Sequence, residues 1–292
     1  MRYRRLGKTN LQVSALGFGA SPLGGVFGAI SDSEAIRAVH TALDRGINFF
    51  DVSPYYGKTL AETVLGRTLQ GIPRDRYLLA TKVGRYDAAK FDFSAARTVQ
   101  SVEESLRRLG VETIDLIQCH DIEFGSLDQV VEETLPTLRT LQAQGKVRFI
   151  GITGLPLKIF PAVIDRAEVD TVLSYCHYHL QDSSLETLIP YVQQRDIGLI
   201  NASPLSMGML TQSGPPEWHP APEPIRVVCA EAAAYCRERG ADIAGLALAY
   251  ALDNPQIATT LVGMASLEQL ERNLAALESP PDANCWPGSH RS

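Results

Sequence analysis

The chain lacks any excess of positive charge. Twenty-seven lysines and arginines stand against 33 aspartates and glutamates in 292 residues, a formal net charge of −6. With those charges spread along the sequence, no basic surface is available to neutralise a run of phosphates, which excludes nucleic acid as a partner. Cysteine is scarce as well. The five cysteines, at 119, 176, 229, 236 and 285, form no Cys-x-x-Cys pair and leave an odd count. That pattern suits free thiols in a reducing compartment better than a disulfide framework. Long apolar runs are also missing. The stretch 9–31 is uncharged behind a basic start (Arg2, Arg4, Arg5, Lys8), yet five glycines and Pro22 interrupt it. It forms neither a signal-peptide core nor a span of about 18 apolar residues, so the expectation is a cytoplasmic protein with no membrane partner. No feature points to a particular oligomeric state.

A composition of 45% hydrophobic and 21% charged residues describes a soluble globular chain, and its organisation shows in eight short β-rich runs. They fall at 14–19, 46–51, 77–82, 114–120, 147–153, 169–175, 197–203 and 257–263. Helical patterns separate them. Ser31-Asp-Ser-Glu34 reads as a capping box, followed by Ile36, Val39, His40 and Leu43 at helical spacing. Ser94 to Leu109 carries Val99, Val102, Leu106 and Leu109 and stops at Gly110, while 127–144 and 266–277 behave alike. Eight β/α units in one chain of this size predict a single-domain α/β fold over 1–292, a (β/α)8 TIM barrel. Residues 1–13 are expected to form an N-terminal β-hairpin plugging the barrel bottom, and 279–292 a flexible tail. The alternative, a doubly wound sheet, lacks its fingerprint, because Gly17-Phe-Gly19 lies inside a strand pattern and no Gly-x-Gly-x-x-Gly follows. The longest irregular loop, the proline-rich 211–224, follows the seventh strand on the face where barrel active sites sit.

Polar residues closing the strands are therefore the candidates for chemistry. They are Asp51, Lys82, His120, Thr153, Ser174 and Ser203, with Tyr55 and Tyr56 just after Asp51. Taken singly, Asp51 is a turn cap, Lys82 a solvated strand end and Tyr56 a packed loop residue. Their joint placement at successive strand ends favours proton transfer. Lys82 beside Tyr56 would lower a phenol whose pKa is about 10 when unperturbed, and Asp51 would orient the lysine. Zinc ligation by Cys119-His120 and Cys176-His177 with His179 is disfavoured, since neighbouring strand residues face opposite sides. A glycosidase would need two carboxylates flanking one bond; Asp121 and Glu123 are candidates only two apart in sequence, and neither explains Lys82.

Gly46-Ile-Asn-Phe-Phe-Asp51 with Tyr56-Gly57, Ala80-Thr-Lys82, Cys119-His120 and Ala202-Ser-Pro-Leu205 resembles the aldo-keto reductase family from the first strand to Asn273. Phe18-Gly-Ala-Ser-Pro-Leu-Gly24, the run from Cys119 to Gln129, Phe149-Ile-Gly-Ile-Thr-Gly-Leu-Pro156 and Gly214-Pro-Pro-Glu-Trp-His-Pro220 resemble a branch of that family that oxidises L-galactose in plant ascorbate synthesis. The resemblance implies hydride transfer between a nicotinamide and an aldose C1, giving the lactone, with Asp51, Tyr56, Lys82 and His120 as the catalytic set. L-Fucose and D-arabinose are alternative substrates, in sugar catabolism; a non-catalytic nucleotide-sensing module is the other alternative. For the cofactor it implies Ser21, Asp51, Thr153, Ser174, Ser203, Leu205, Gly263, Gln269 and Asn273. For the sugar, Tyr56, His120, Asp121, Glu123, Trp218 and His219 are available. The family's usual Ser-Asn after strand five is Thr153-Gly154 here, and its aromatic after strand seven is Ala202. Where relatives hold an adenosine 2′-phosphate with basic residues, this chain has Gly263 and Gln269, and Arg272 is the only basic residue over 259–277. A phosphate dianion without a cationic partner is costly to desolvate, so NAD is expected over NADP, with no metal.

Overall fold

The computed structural model describes residues 1–25, 28 and 31–278, and in it the eight expected runs close into one parallel barrel. The barrel strands are β1 (Leu16–Gly19), β2 (Phe49–Asp51), β3 (Leu78–Val83), β4 (Ile114–Cys119), β5 (Val147–Gly154), β6 (Thr171–Tyr175), β7 (Gly198–Ala202) and β8 (Thr259–Gly263). They pair in sequence order until β8 returns to β1. The tail expected over 279–292, and Cys285 with it, lies outside the described residues.

Alternation along each strand divides the core in two. One face packs outward against the helices; the other fills the barrel, where Phe49, Ala80, Leu116, Leu173, Ile200 and Leu261 meet. Leu6, Leu11 and Val13 join the same inner cluster. They come from the expected hairpin, Tyr3–Arg5 paired antiparallel with Gln12–Ser14. The plug is held by Arg4, which donates to the carbonyls of Leu252, Asn254 and Ile257 at 2.6–2.7 Å. Burying each large apolar side chain stabilises the fold by about 1.5–3 kcal/mol, so the hairpin seals one end of the barrel and leaves the strand C-termini open.

The helices follow their signals with informative departures. Ser31 caps α1 (Asp32–Asp44) in a full capping box, and Ser94 caps α2 (Ala95–Leu109), which Gly110 ends at φ 68°. However, Ile36 and Val99 are exposed at 39% and 40%. Val39 and Leu43 in α1 and Val102, Leu106 and Leu109 in α2 are buried as expected, and small residues complete the buried faces: Ala35, Ala38 and Ala42 in α1, and Thr98, Ser101 and Ser105 in α2. Small side chains let a helix lie close to the sheet, which a search for large apolar residues overlooks. The expected helix over 127–144 is interrupted by a π turn, Val130–Thr134, before Leu135–Ala143. Pro136 has no N–H to continue the ladder, and the wider turn absorbs the missing bond. The proline-rich loop ends earlier than expected, with Pro222 as N-cap and Pro224 in the first turn of the helix Glu223–Glu238.

Candidate active site

β2 is only three residues long and finishes at Asp51, while β3 carries Lys82 one pleat higher, so the long lysine stem reaches back across the barrel. Both side chains are buried. The ammonium has three donors and uses all of them: one on Asp51 Oδ1, one on the Val52 carbonyl at 3.0 Å, and one on the Tyr56 hydroxyl oxygen at 3.4 Å. An ammonium accepts nothing, so the proton of Tyr56 is left for a partner at the barrel mouth. Tyr56 is fixed through its backbone: Gly57 (φ 60°) and Gly24 press together so closely that a Cβ on Gly57 would lie 2.2 Å from the Gly24 carbonyl oxygen.

His120 completes the set. It stands edge-on to Tyr56, ring centroids 5.8 Å apart, and its Nδ1 lies 3.0 Å from Ser53 Oγ. Nε2 faces the Asp121 carboxylate, an acceptor, so we assign the imidazole proton to Nε2, and Nδ1 accepts from the Ser53 hydroxyl, which itself accepts the Tyr55 N–H at 3.1 Å. Nε2 lies 3.6 Å from Asp121 Oδ2. Burial pushes the His120 pKa down to about 3, with Lys82 and Arg85 adding to the effect and Asp121 opposing it. The ring is therefore a neutral hydrogen-bond donor at physiological pH.

One electrostatic expectation is corrected. Lys82 does pull the Tyr56 phenol downward, but burial outweighs it, Asp51 and Asp121 add to the rise, and the net shift is upward. Burial also works against the charged lysine, yet Asp51 and Tyr56 prevail and hold Lys82 above its ordinary range. The resting site is thus a protonated tyrosine over a fixed cation.

The remaining expected residues divide. Asp121, turned into the left-handed region (φ 50°), is buried against Arg85 and Thr153, whose Oγ1 it meets through both its backbone N–H (3.0 Å) and its carboxylate (3.3 Å). Glu123 accepts the Leu155 N–H at 2.9 Å and keeps its other oxygen, Oε2, buried without a partner. His219 spends both ring nitrogens on its own loop, on the Ser206 carbonyl (3.1 Å) and the Ala221 N–H (3.1 Å). It is a loop staple with no nitrogen left for a sugar, while neighbouring Trp218 is 54% exposed. Gln269 likewise caps its helix, accepting from Ala265 N at 2.9 Å. Asn273 is buried on that helix, Leu267–Glu278. His177 bonds the Leu155 carbonyl beyond β5 at 2.7 Å and Ser184 on its own loop, His179 accepts the Gln181 N–H, and Cys119 packs in the outer core, its thiol pushed up to about 12 by burial.

Three further residues matter here. Gln118 donates to Asp51 Oδ2 at 2.8 Å; two-residue alternation back from His120 marks it as inward-facing. Ser53 and Arg85 lie outside the barrel strands, where no periodicity reveals them. The Arg85 guanidinium lies 3.9 Å from the Tyr55 ring centroid and 5.4 Å from those of Phe91 and Phe124.

The strand ends at 154, 202 and 263 carry nothing larger than a methyl group, which leaves room at the mouth for a flat cofactor ring. Ser174 Oγ, in β6, is buried with no hydrogen-bond partner, but Ser174 alternates with Leu173 and Tyr175 of the inner cluster and so faces outward with Val172, away from the mouth. Just beyond strands β4, β6 and β7 the backbone turns through a left-handed non-glycine residue, at Asp121, Cys176 (φ 59°) and Ser203 (φ 60°), strain of a kind that clusters at functional sites.

This chain belongs to the Aldo/keto reductase family, which it matches over residues 15–286, and is an oxidoreductase of a class that uses nicotinamide cofactors. It is 53% identical to an L-galactose dehydrogenase of Arabidopsis thaliana over 94% of this chain and 87% of that protein. It is 30% identical to a D-threo-aldose 1-dehydrogenase of a Pseudomonas species, over 94% and 93%, and 34% identical to a D-arabinose 1-dehydrogenase of Saccharomyces cerevisiae, over 79% and 72%. Among solved structures, the holo form of an aldo-keto reductase from Bacillus halodurans superposes with a TM-score of 0.80 at 28% identity, covering 97% of this chain and 93% of that one. Among the described residues, no helix is long and apolar enough to cross a membrane, and no group of three or more His, Cys, Asp or Glu could hold a metal ion.

With its pKa near 3, His120 remains neutral from pH 5 to pH 9. Nitrogen-detected NMR of the imidazole will show one neutral tautomer throughout; a titration centred near pH 6.5 would contradict the assignment.

Proposed function

We propose that this protein oxidises an aldose, L-galactose foremost, at C1 to the aldonolactone with NAD. The observation that carries the reading is the fully committed Lys82 ammonium, which grips the Tyr56 oxygen and leaves the tyrosine proton facing the mouth. The named activities of three relatives, all aldose or sugar dehydrogenases, supply the substrate class.

Bound at the mouth, the nicotinamide supplies the hydride acceptor for aldose C1. Tyr56 first releases its own proton to solvent through the mouth, leaving a phenolate that Lys82 stabilises; the phenolate then takes the proton of the C1 hydroxyl as the hydride leaves C1, and Asp51 keeps the lysine charged and aimed. His120 orients the C1 oxygen through Nε2–H. Asp121 and Glu123 lie beyond it as acceptors for the remaining hydroxyls, and Trp218 offers an apolar platform. The cofactor would be held by Thr153 and Ser203 near the strand ends, by Ser21 and Leu205 on the loops after β1 and β7, and by the last β/α unit at Gly263 and Asn273. A cytoplasmic setting suits the free thiols.

Selection of NAD over NADP follows from that last unit. Gly263 offers no side chain, Gln269 is uncharged and its Oε1 caps the helix, and Arg272, the one cation over 259–277, bonds Glu268 at 2.8 Å on the exposed side of the helix. Neither Gly263 nor Gln269 offers a cation to a 2′-phosphate.

Tyr56→Phe will abolish turnover of L-galactose while NAD still binds, as read by protein fluorescence titration; activity near wild type refutes the role of the phenol. In the wild-type enzyme, Michaelis constants compared at one sugar concentration will favour NAD over NADP by at least about tenfold, an energy difference of about 1.4 kcal/mol. Equal constants, or a preference for NADP, overturn the selection argument. Running L-fucose and D-arabinose beside L-galactose ranks the sugars.

A further inference from the structure

Gln118 lies on β4 in register with Lys82 on β3 and Gly151 on β5, with no exposure to solvent. Its Nε2 donates to Asp51 Oδ2 at 2.8 Å, and its Oε1 is buried with no hydrogen-bond partner. Turned over, the amide would set Oε1 against a carboxylate oxygen, lone pair facing lone pair. As it stands, one charge-assisted bond is made and a carbonyl goes unsatisfied, which is unfavourable in a dry interior. An aliphatic side chain of similar size would fill this space without an orphaned carbonyl, but it would leave Asp51 Oδ2 without its donor, so the glutamine answers to Asp51 and not to packing.

What the amide adds is direction. Asp51 has two oxygens; Lys82 takes one and Gln118 the other, so the carboxylate is held against rotation and the ammonium keeps its place under the Tyr56 oxygen. We propose that Gln118 is a positioning residue for the reaction, acting through Asp51 and Lys82 on the tyrosine that moves the proton. The inference rests on the proposed role of Tyr56 in aldose oxidation. The charged groups that bear on Tyr56 are Lys82, Asp51 and Asp121, and Arg85 joins them around His120; Gln118 acts on this set through Asp51.

The test is Gln118→Leu in the full-length enzyme, with Gln118→Met as the alternative if the leucine variant does not fold. Without the amide, Asp51 holds its charge less well, the lysine is steadied less, and the tyrosine releases its proton at higher pH. In the oxidising direction kcat/KM will fall by about 10–100-fold, and its acid-side limb will move upward by about 0.5 pH unit or more. The dissociation constant for NAD and the thermal midpoint will stay close to wild type. A kcat/KM within about twofold of wild type overturns the proposal, and so does a loss of activity with the limb unmoved, which marks a merely structural role. If wild-type enzyme fails to oxidise any aldose, the substrate reading fails by itself. The same comparison is then made in reduction of a simple aldehyde, where the alkaline limb must move upward in the variant.

Discussion

A lysine and an aspartate have been taken out of water at the centre of this barrel, and the rest of the site is arranged around keeping them paired. Burying two charges is unfavourable unless every remaining donor and acceptor is met, and removing one member of such a pair costs about 3–5 kcal/mol. Here both charges are met, and the one orphan among their partners is the carbonyl of Gln118. Lys82 reaches Asp51, the Val52 carbonyl and Tyr56, and Asp51 is closed off by Gln118. The barrel makes this possible because neighbouring parallel strands deliver side chains to one axis, while Leu6, Leu11 and Val13 of the hairpin pack into the inner cluster from below. The ion pair in turn presents a single usable feature to the mouth, the hydroxyl of Tyr56.

Electrostatics at the mouth follows from the same dryness. Burial raises the Tyr56 phenol and lowers the His120 imidazole, so the cofactor-free site holds two neutral groups over one fixed cation. That arrangement leaves His120 to orient and Tyr56 to exchange a proton. Arg85 and Asp121, packed against Tyr55 and Thr153, brace the side of the mouth on which the proposed sugar would lie.

Much of this was legible in the sequence, and the exceptions have physical causes. All eight strands and the residues closing them follow from β-rich runs and turn chemistry, because parallel barrel strands are apolar and short. Ser31, Ser94 and Gly110 mark helix ends, because caps answer to local hydrogen bonding. Val39, Leu43, Val102, Leu106 and Leu109 are buried as read, whereas Ile36 and Val99 misled, because alanine, serine and threonine complete the faces turned to the barrel. The four strand-end groups of the site were readable one by one. What held them was not: Ser53 and Arg85 lie outside the regular barrel pattern, and Gln118 sits in an apolar run where only its parity with His120 distinguishes it. His219 and Gln269 looked available for binding and are occupied within their own loop and helix, a property of folded geometry that composition does not carry.

The central claim is that the buried Lys82 ammonium governs the proton of Tyr56. Ultraviolet difference titration of phenolate formation tests it directly, with the Tyr56→Phe spectrum subtracted to isolate one tyrosine. In cofactor-free enzyme Tyr56 is predicted to ionise above the ordinary tyrosine range, as its burial requires, and Lys82→Met to drive that ionisation higher still. A Tyr56 titration that is unmoved, or lowered, when the lysine is removed would contradict the account.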